Sequence, residues 1–176
     1  MSAMASSVLI PVSEYLQTTY RPDRDFVDGE LEERNVGEES HSETQAILAR
    51  VFGNHREAWG VRVYTEVRVQ TSATHFRIPD VCLVDSARPR GRVIGYAPIL
   101  CVEILSPEDR LIAMSDKIDD YVQLGVKNIW VIDPEKRVGY YASSDGLDKC
   151  IDGVMNVDGT DITISLAEVF AELDQY

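Results

Sequence analysis

From Ala97 to Pro107 the chain reads APILCVEILSP, a nearly continuous apolar run of strand length, the pattern of a central strand covered on both faces. Ser106-Pro107-Glu108-Asp109 follows, with a capping residue, a proline at the first helical position and acids in the first turn, and together they open a helix. That helix carries Leu111, Met114, Ile118, Tyr121 and Val122 on one face and stops at Gly125. NIWVIDP then forms a second buried strand, ended by the Asp133-Pro134 turn. If the two strands share a sheet, the helix between them makes a right-handed parallel crossover. A chain containing this unit is neither all-α nor a simple antiparallel sandwich.

The flanking segments complete the expectation. Residues 11–20 read as a short helix, and RDFVDGELEERNV alternates around Asp28-Gly29, a strong two-residue hairpin signal. Ser40-His41-Ser42-Glu43 is a capping box that starts a helix at Ser40, running to about Trp59. GVRVYTEVRVQ is a half-buried strand and, after a turn-like TSATH, RIPDVCLVDS is a second strand, an order that allows a hairpin. RVGYYAS, KCIDGVMN and TDITISL are shorter antiparallel strands, and AEVFAEL closes the chain as a helix. The fold class is therefore α/β in the mixed α+β sense, with a central mixed β-sheet flanked by helices.

With 176 residues, no internal repeat and no Pro/Gly/Ser linker, residues 1–176 are expected to form a single domain with a flexible N-terminus over residues 1–9. No apolar run approaches the ~18 residues of a membrane span. The N-terminus lacks the basic residue of a secretory signal, and Cys82, Cys101 and Cys150 are odd in number without CxxC spacing. Reduced core thiols in a cytoplasmic protein are expected, not a disulfide framework or a zinc cluster. The formal net charge of −13 repels polyanions at long range. The charge is unevenly spread: Glu14 to Glu43 holds ten acids and three arginines, whereas Arg62 to Arg92 holds six arginines and three acids.

Three residues carry the candidate chemistry. Glu103 stands inside ILCVEILS, where an ionised carboxylate costs on the order of several kcal/mol unless a metal ion, a cationic side chain or a shifted pKa offsets it. Asp80 interrupts the RIPDVCLV strand just after Pro79, where a bulge can re-aim a side chain. Lys117 flanks the apolar stripe of its helix beside Tyr121, where its stem can lie on the core while its amine reaches a cleft. By the same wheel Asp116, Asp119, Asp120 and Gln123 fall on the solvated face. Two carboxylates offer hard oxygen ligands suited to Mg²⁺, and a neighbouring lysine can orient a water and stabilise a phosphoryl oxygen. The implied reaction is metal-assisted phosphodiester hydrolysis. The plainer alternative pairs Glu103 with a protein cation, Arg77 or Lys117, and leaves no room for metal.

The succession VDGEL, SHSETQAIL, RIPDVCLV, PILCVEILSPEDR, DKIDDYVQLGVKNIWVIDP and RVGYY, from about residue 10 to 173, resembles the Uma-type restriction endonucleases, bacterial proteins of the PD-(D/E)xK nuclease superfamily. The resemblance implies a restriction-endonuclease-like core, a DNA substrate and a Mg²⁺ cofactor, with Mn²⁺ as substitute. It also implies that Asp80, Glu103 and the main-chain carbonyl of Ile104 hold the metal. The chain departs from the superfamily pattern at Leu105, where the lysine usually stands; related families move that lysine to the next helix, and Lys117 is the matching residue. His41 matches a histidine position of the family, and Glu30 in the DGEL block is a further acid that could join the site, as could Tyr121. A homodimer is implied by duplex cleavage, and the acidic surface leaves room for a DNA-binding companion protein. The alternative is a catalytically inactive nuclease-fold interaction module with a protein partner.

Other candidates are weaker. His55 and His75 have no partner at ligand spacing and are read as solvent-facing; Arg88, Arg90 and Arg92 form a short basic run that could meet phosphates, though an exposed loop is the commoner explanation. There is no Gly-rich phosphate loop, nucleophile elbow or HExxH motif.

Overall fold

The computed structural model describes residues 8–34, 38–107 and 111–175. The flexible N-terminus expected from the sequence falls mainly on residues 1–7, outside the described residues. In chain order the elements are α1 (Val12–Gln17), β1 (Asp25–Val27), β2 (Glu30–Glu32), α2 (Glu39–Trp59), β3 (Val61–Thr65), β4 (Val69–Gln70), β5 (His75–Arg77) and β6 (Val81–Asp85). They continue with β7 (Leu100–Ile104), α3 (Leu111–Leu124), β8 (Ile129–Asp133), β9 (Val138–Ser143), β10 (Gly146–Lys149), β11 (Val154–Asn156), β12 (Thr163–Ser165) and α4 (Leu166–Leu173).

A six-stranded mixed sheet in the order β10-β9-β8-β7-β6-β3 forms the centre. β7 and β8 are parallel, with Glu103 opposite Val131, and α3 connects them as the apolar runs predicted. The other neighbours in this sheet are antiparallel. Strand alternation divides the core between the two faces. Leu100, Val102, Ile104, Trp130 and Ile132 pack with α2 and α4, whereas Cys101, Ile129 and Val131 pack with Ile118 and Tyr121 of α3. Both faces of β7 are thus covered, and each large apolar side chain buried there contributes roughly 1.5–3 kcal/mol. The three cysteines are buried free thiols.

Close packing leaves little slack at Gly139 on β9. A β-carbon there would lie 2.5 Å from Met155 Sδ and 3.0 Å from Leu166 Cδ1, and Met155 is fully buried. Gly139→Ala is therefore expected to cost about 1–3 kcal/mol by overpacking, measurable as a lower urea midpoint with an unchanged slope.

The main departure from the sequence reading lies before β7. GVRVYTEVRVQ and RIPDVCLVDS do pair as a hairpin, but each breaks into two strands that belong to different sheets. β3 pairs with β6 in the large sheet, while β4 pairs with β5 in a four-stranded sheet ordered β2-β1-β5-β4. One break falls at Glu66, whose φ of 51° is left-handed, and the other at Ile78-Pro79-Asp80, where proline cannot donate to a ladder. Asp28 and Gly29 turn β1 into β2 with φ of 49° and 93°, as the hairpin signal required. The small sheet rests on Tyr15, Phe26 and Phe76, with the Tyr15 and Phe26 rings 4.8 Å apart.

Helix starts also differ. α2 begins at Glu39 and not Ser40, and the capping box is not made: Ser40 donates its hydroxyl to Glu135 instead. Gly60, in the left-handed region, closes its C-terminus. Ser106 and Pro107 precede α3; Glu108 and Asp109, expected in its first turn, lie outside the described residues. No described helix is long and apolar enough to cross a membrane.

Candidate active site

The break at Pro79 decides where Asp80 points. Asp80 leaves the ladder just before β6 and is only 3% exposed. The main-chain N–H of Ile104, at the end of β7, donates to its Oδ2 at 2.7 Å. His41 Nε2 on α2 lies 3.3 Å from the same oxygen, and Arg34 Nη2 donates to Oδ1 at 2.8 Å. Gln45, one turn after His41, donates to the Asp80 carbonyl at 2.9 Å. Burial pushes the Asp80 carboxyl up, but the His41 hydrogen bond and the Lys117 and Arg34 charges outweigh it and hold it below the ordinary aspartate value.

Glu103, 2% exposed, alternates onto the α3 face of β7 with Cys101. Lys117 Nζ donates to Glu103 Oε2 at 2.8 Å and Tyr121 Oη to Oε1 at 2.6 Å. Lys117 also donates to the Ile78 carbonyl at 3.3 Å, so it ties α3 to the seam between the sheets. Burial drives the Glu103 carboxyl up to about 7 despite the lysine beside it. For Lys117, burial pulls down but Asp25, Glu103 and Asp80 together raise it, so it remains an ammonium. Asp80 with His41 and Arg34, and Glu103 with Lys117 and Tyr121, thus form two neighbouring hydrogen-bonded groups, close enough for the Lys117 charge to act on Asp80. Glu30 is exposed on β2 opposite Val27.

A second layer was not anticipated. Arg77 is not the counter-ion of Glu103. Its guanidinium bonds Asp120 Oδ2 and Glu32 Oε2, both at 2.5 Å, and reaches Asp25 Oδ2 at 3.4 Å. Asp25 in turn accepts from the Ile78 N–H at 2.9 Å and lies 3.8 Å from Lys117. Asp120 is buried in this layer, a correction to its placement on the solvated face of α3; the pull of Arg77 draws it inward. His75 is likewise partnered and not free in solvent, with Nδ1 2.9 Å from Asp120 and Nε2 3.2 Å from Asp28. His55 is exposed as expected, stacked on Trp59 at 4.7 Å. Of the missed residues, Asp120 stands three positions after Lys117 and Gln45 four after His41, helical spacings that put each beside a recognised residue. Arg34 and Asp25 carry no such signal.

The two aspartates facing His75 outweigh the desolvation that opposes its charge, so its pKa lies above the ordinary 6.5. Its titration by NMR is expected to show a midpoint above that value, falling toward it in Asp120→Asn. Because the folded value is raised, the stability His75 contributes is complete below 6.5 and is lost as pH rises through the folded value.

Among the described residues no group of three or more His, Cys, Asp or Glu side chains converges as a metal cage. Mg²⁺ does not need one. It keeps several waters and takes one or two carboxylates plus substrate phosphate; Asp80 and Glu103 are donors of that type, and in this structure their oxygens accept from Arg34, His41, the Ile104 N–H, Lys117 and Tyr121.

A family match and one solved structure of the same fold accord with this architecture. Residues 12–140 match the model of the Uma2 family, described as "Putative restriction endonuclease". A crystal structure of a "putative nuclease belonging to DUF820" from Anabaena variabilis superposes with a TM-score of 0.80 over 93% of this chain and 99% of that one, at 21% identity. The cryo-EM structure of a DrdV–DNA complex matches 73% of this chain and 10% of that chain, at 18% identity and a TM-score of 0.40. No curated protein matches. The long family match and the shared nuclease fold lead to one conclusion: the chain belongs to the Uma2 family of restriction-endonuclease-like proteins.

Proposed function

We propose that this protein is a divalent-cation-dependent endonuclease that hydrolyses phosphodiester bonds of DNA. The observation that carries the reading is the convergence of Asp80, Glu103 and Lys117, with Lys117 Nζ 2.8 Å from Glu103. In it, Asp80, Glu103 and the Ile104 carbonyl hold Mg²⁺, or Mn²⁺ in its place. The cation supplies Lewis-acid polarisation of the phosphoryl oxygen. Lys117 orients the attacking water and donates to the phosphate, and Tyr121 and the Ile104 N–H keep the two carboxylates aimed. His41 holds Asp80 Oδ2, the oxygen that also accepts from the Ile104 N–H. The protein acts in the cytoplasm, as a homodimer when both strands are cut. A net charge of −13 slows the approach of DNA, which favours delivery by a DNA-binding companion.

One observation favours a second reading, a nuclease-fold interaction module without catalysis. Both carboxylates are already neutralised by protein cations, Asp80 by Arg34 and Glu103 by Lys117. Supercoiled and linear DNA incubated with the purified protein in Mn²⁺, Mg²⁺ or EDTA separates the two. Metal-dependent nicking is the expected result, and intact DNA together with no Mn²⁺ binding by calorimetry would establish the module.

A further inference from the structure

Arg34 occupies an unusual place in this centre. Oδ2 of Asp80 is held by a main-chain N–H of β7 and by a histidine of α2, two regular elements. Oδ1 is met by Arg34, which stands on the connection after β2 and not in a strand or helix. The same guanidinium has a second acceptor on its outer side: Nη1 lies 3.6 Å from Glu66 Oε1, and the Glu66 side chain is 49% exposed where that of Asp80 is 5% exposed. Glu66 sits at the left-handed break between β3 and β4, with its N–H on the Asp80 carbonyl at 3.4 Å, so both acceptors are fixed to the same seam.

A buried carboxylate without a counter-charge is strongly unfavourable, so Asp80 needs a cation whether or not a metal is bound. A divalent ion and a guanidinium on one oxygen repel each other. A hydrated Mg²⁺-type ion reaching Oδ1 must therefore turn Arg34 away, and Glu66 offers it an acceptor within a short side-chain movement.

We infer that Arg34 is the displaceable counter-ion of the metal centre: it holds Asp80 Oδ1 while the site lacks a divalent cation, competes with that cation, and retreats to Glu66 when the cation binds. This rests on the metal-dependent reading above. Metal loading then becomes an exchange of one cation for another, and the centre keeps its shape without metal.

Mn²⁺ binding to the full chain, followed by electron paramagnetic resonance of the free ion, tests the exchange without reference to cleavage. Arg34→Met is expected to bind Mn²⁺ about tenfold more tightly than the unaltered protein, since one competing charge is gone. It is also expected to melt at a lower temperature in EDTA and to gain more on Mn²⁺ addition. Arg34→Lys keeps the charge and the fold but loses the planar fork, and is expected to bind Mn²⁺ about threefold more tightly; it decides the question if Arg34→Met does not fold. Unchanged or weaker Mn²⁺ binding in the folded variants overturns the inference. If the unaltered protein binds Mn²⁺, Asp80→Asn does not, and the folded Arg34 variants bind it no more tightly, the metal reading stands and only the role of Arg34 is removed. If neither the unaltered protein nor the Arg34 variants bind Mn²⁺, both fail together.

Discussion

Asp80→Ala is expected to abolish metal-dependent cleavage and to weaken Mn²⁺ binding by at least about 100-fold, because even the outer partners of metal ligands are worth about 10–100-fold. The substitution removes the carboxylate on which α2, the β2–α2 connection and the end of β7 all converge through His41, Arg34 and Ile104. It also leaves the Arg34 guanidinium with Glu66 as its nearest carboxylate. Asp80→Asn is the informative companion: it keeps the volume and a hydrogen-bonding oxygen for the Ile104 N–H while losing the charge. Calorimetric Mn²⁺ titration beside a plasmid-nicking assay should show both variants inactive, with Asn closer to the original melting temperature. Cleavage retained at near-original rates in folded Asp80→Asn would remove this carboxylate from the chemistry.

Lys117→Met is the second large effect. It leaves Glu103 and Asp25 buried without the amine that faces both, and breaking such a pair costs about 3–5 kcal/mol. The loss should depend on pH. Glu103 already has its folded value raised from 4.5 to about 7, so its ionisation destabilises the metal-free fold progressively as pH rises across that interval. Removing the lysine takes away the main influence opposing that rise, so the deficit should be smaller near pH 5 and larger near pH 8. Urea denaturation in EDTA at the two values measures it. A deficit equal at both would mean that Glu103 is not the group left exposed to the loss. Glu103→Gln in the same background should recover part of the stability at high pH, because the uncompensated charge is then absent.

The main chain was legible where local pattern and tertiary burial agree. APILCVEILSP and NIWVIDP declared covered strands, and the Asp28-Gly29 turn and the Gly125 stop declared their own geometry. Legibility failed where one continuous alternating run serves two sheets. Alternation in GVRVYTEVRVQ continues through Glu66, yet the backbone turns there, and period-2 patterning carries no record of which neighbour a strand pairs with. Helix starts failed for a related reason: Ser40 is placed for a capping box, but a tertiary acceptor, Glu135, takes its hydroxyl.

At the centre, Asp80 and Glu103 were visible because acids inside apolar runs require an offset, and Lys117 because it borders the apolar stripe of α3. The cations that balance the acids were harder to assign. Arg77 and Lys117 are both near in sequence, and only the packing of α3 across the seam sends Lys117 to Glu103 and Arg77 to Asp25 and Asp120. Arg34 could not be found, since an arginine in an acidic stretch announces nothing until folding brings its guanidinium to Asp80.

The break at Ile78-Pro79 also bears on how the protein comes into being. Asp25 arrives from the small sheet, Glu103 from the large one and Lys117 from a helix that ends only at Leu124, so no single segment of a nascent chain owns the centre. A half-made or partly melted molecule carries these side chains scattered along the chain, and the buried acids meet their counter-charges only when the seam between the two sheets has closed.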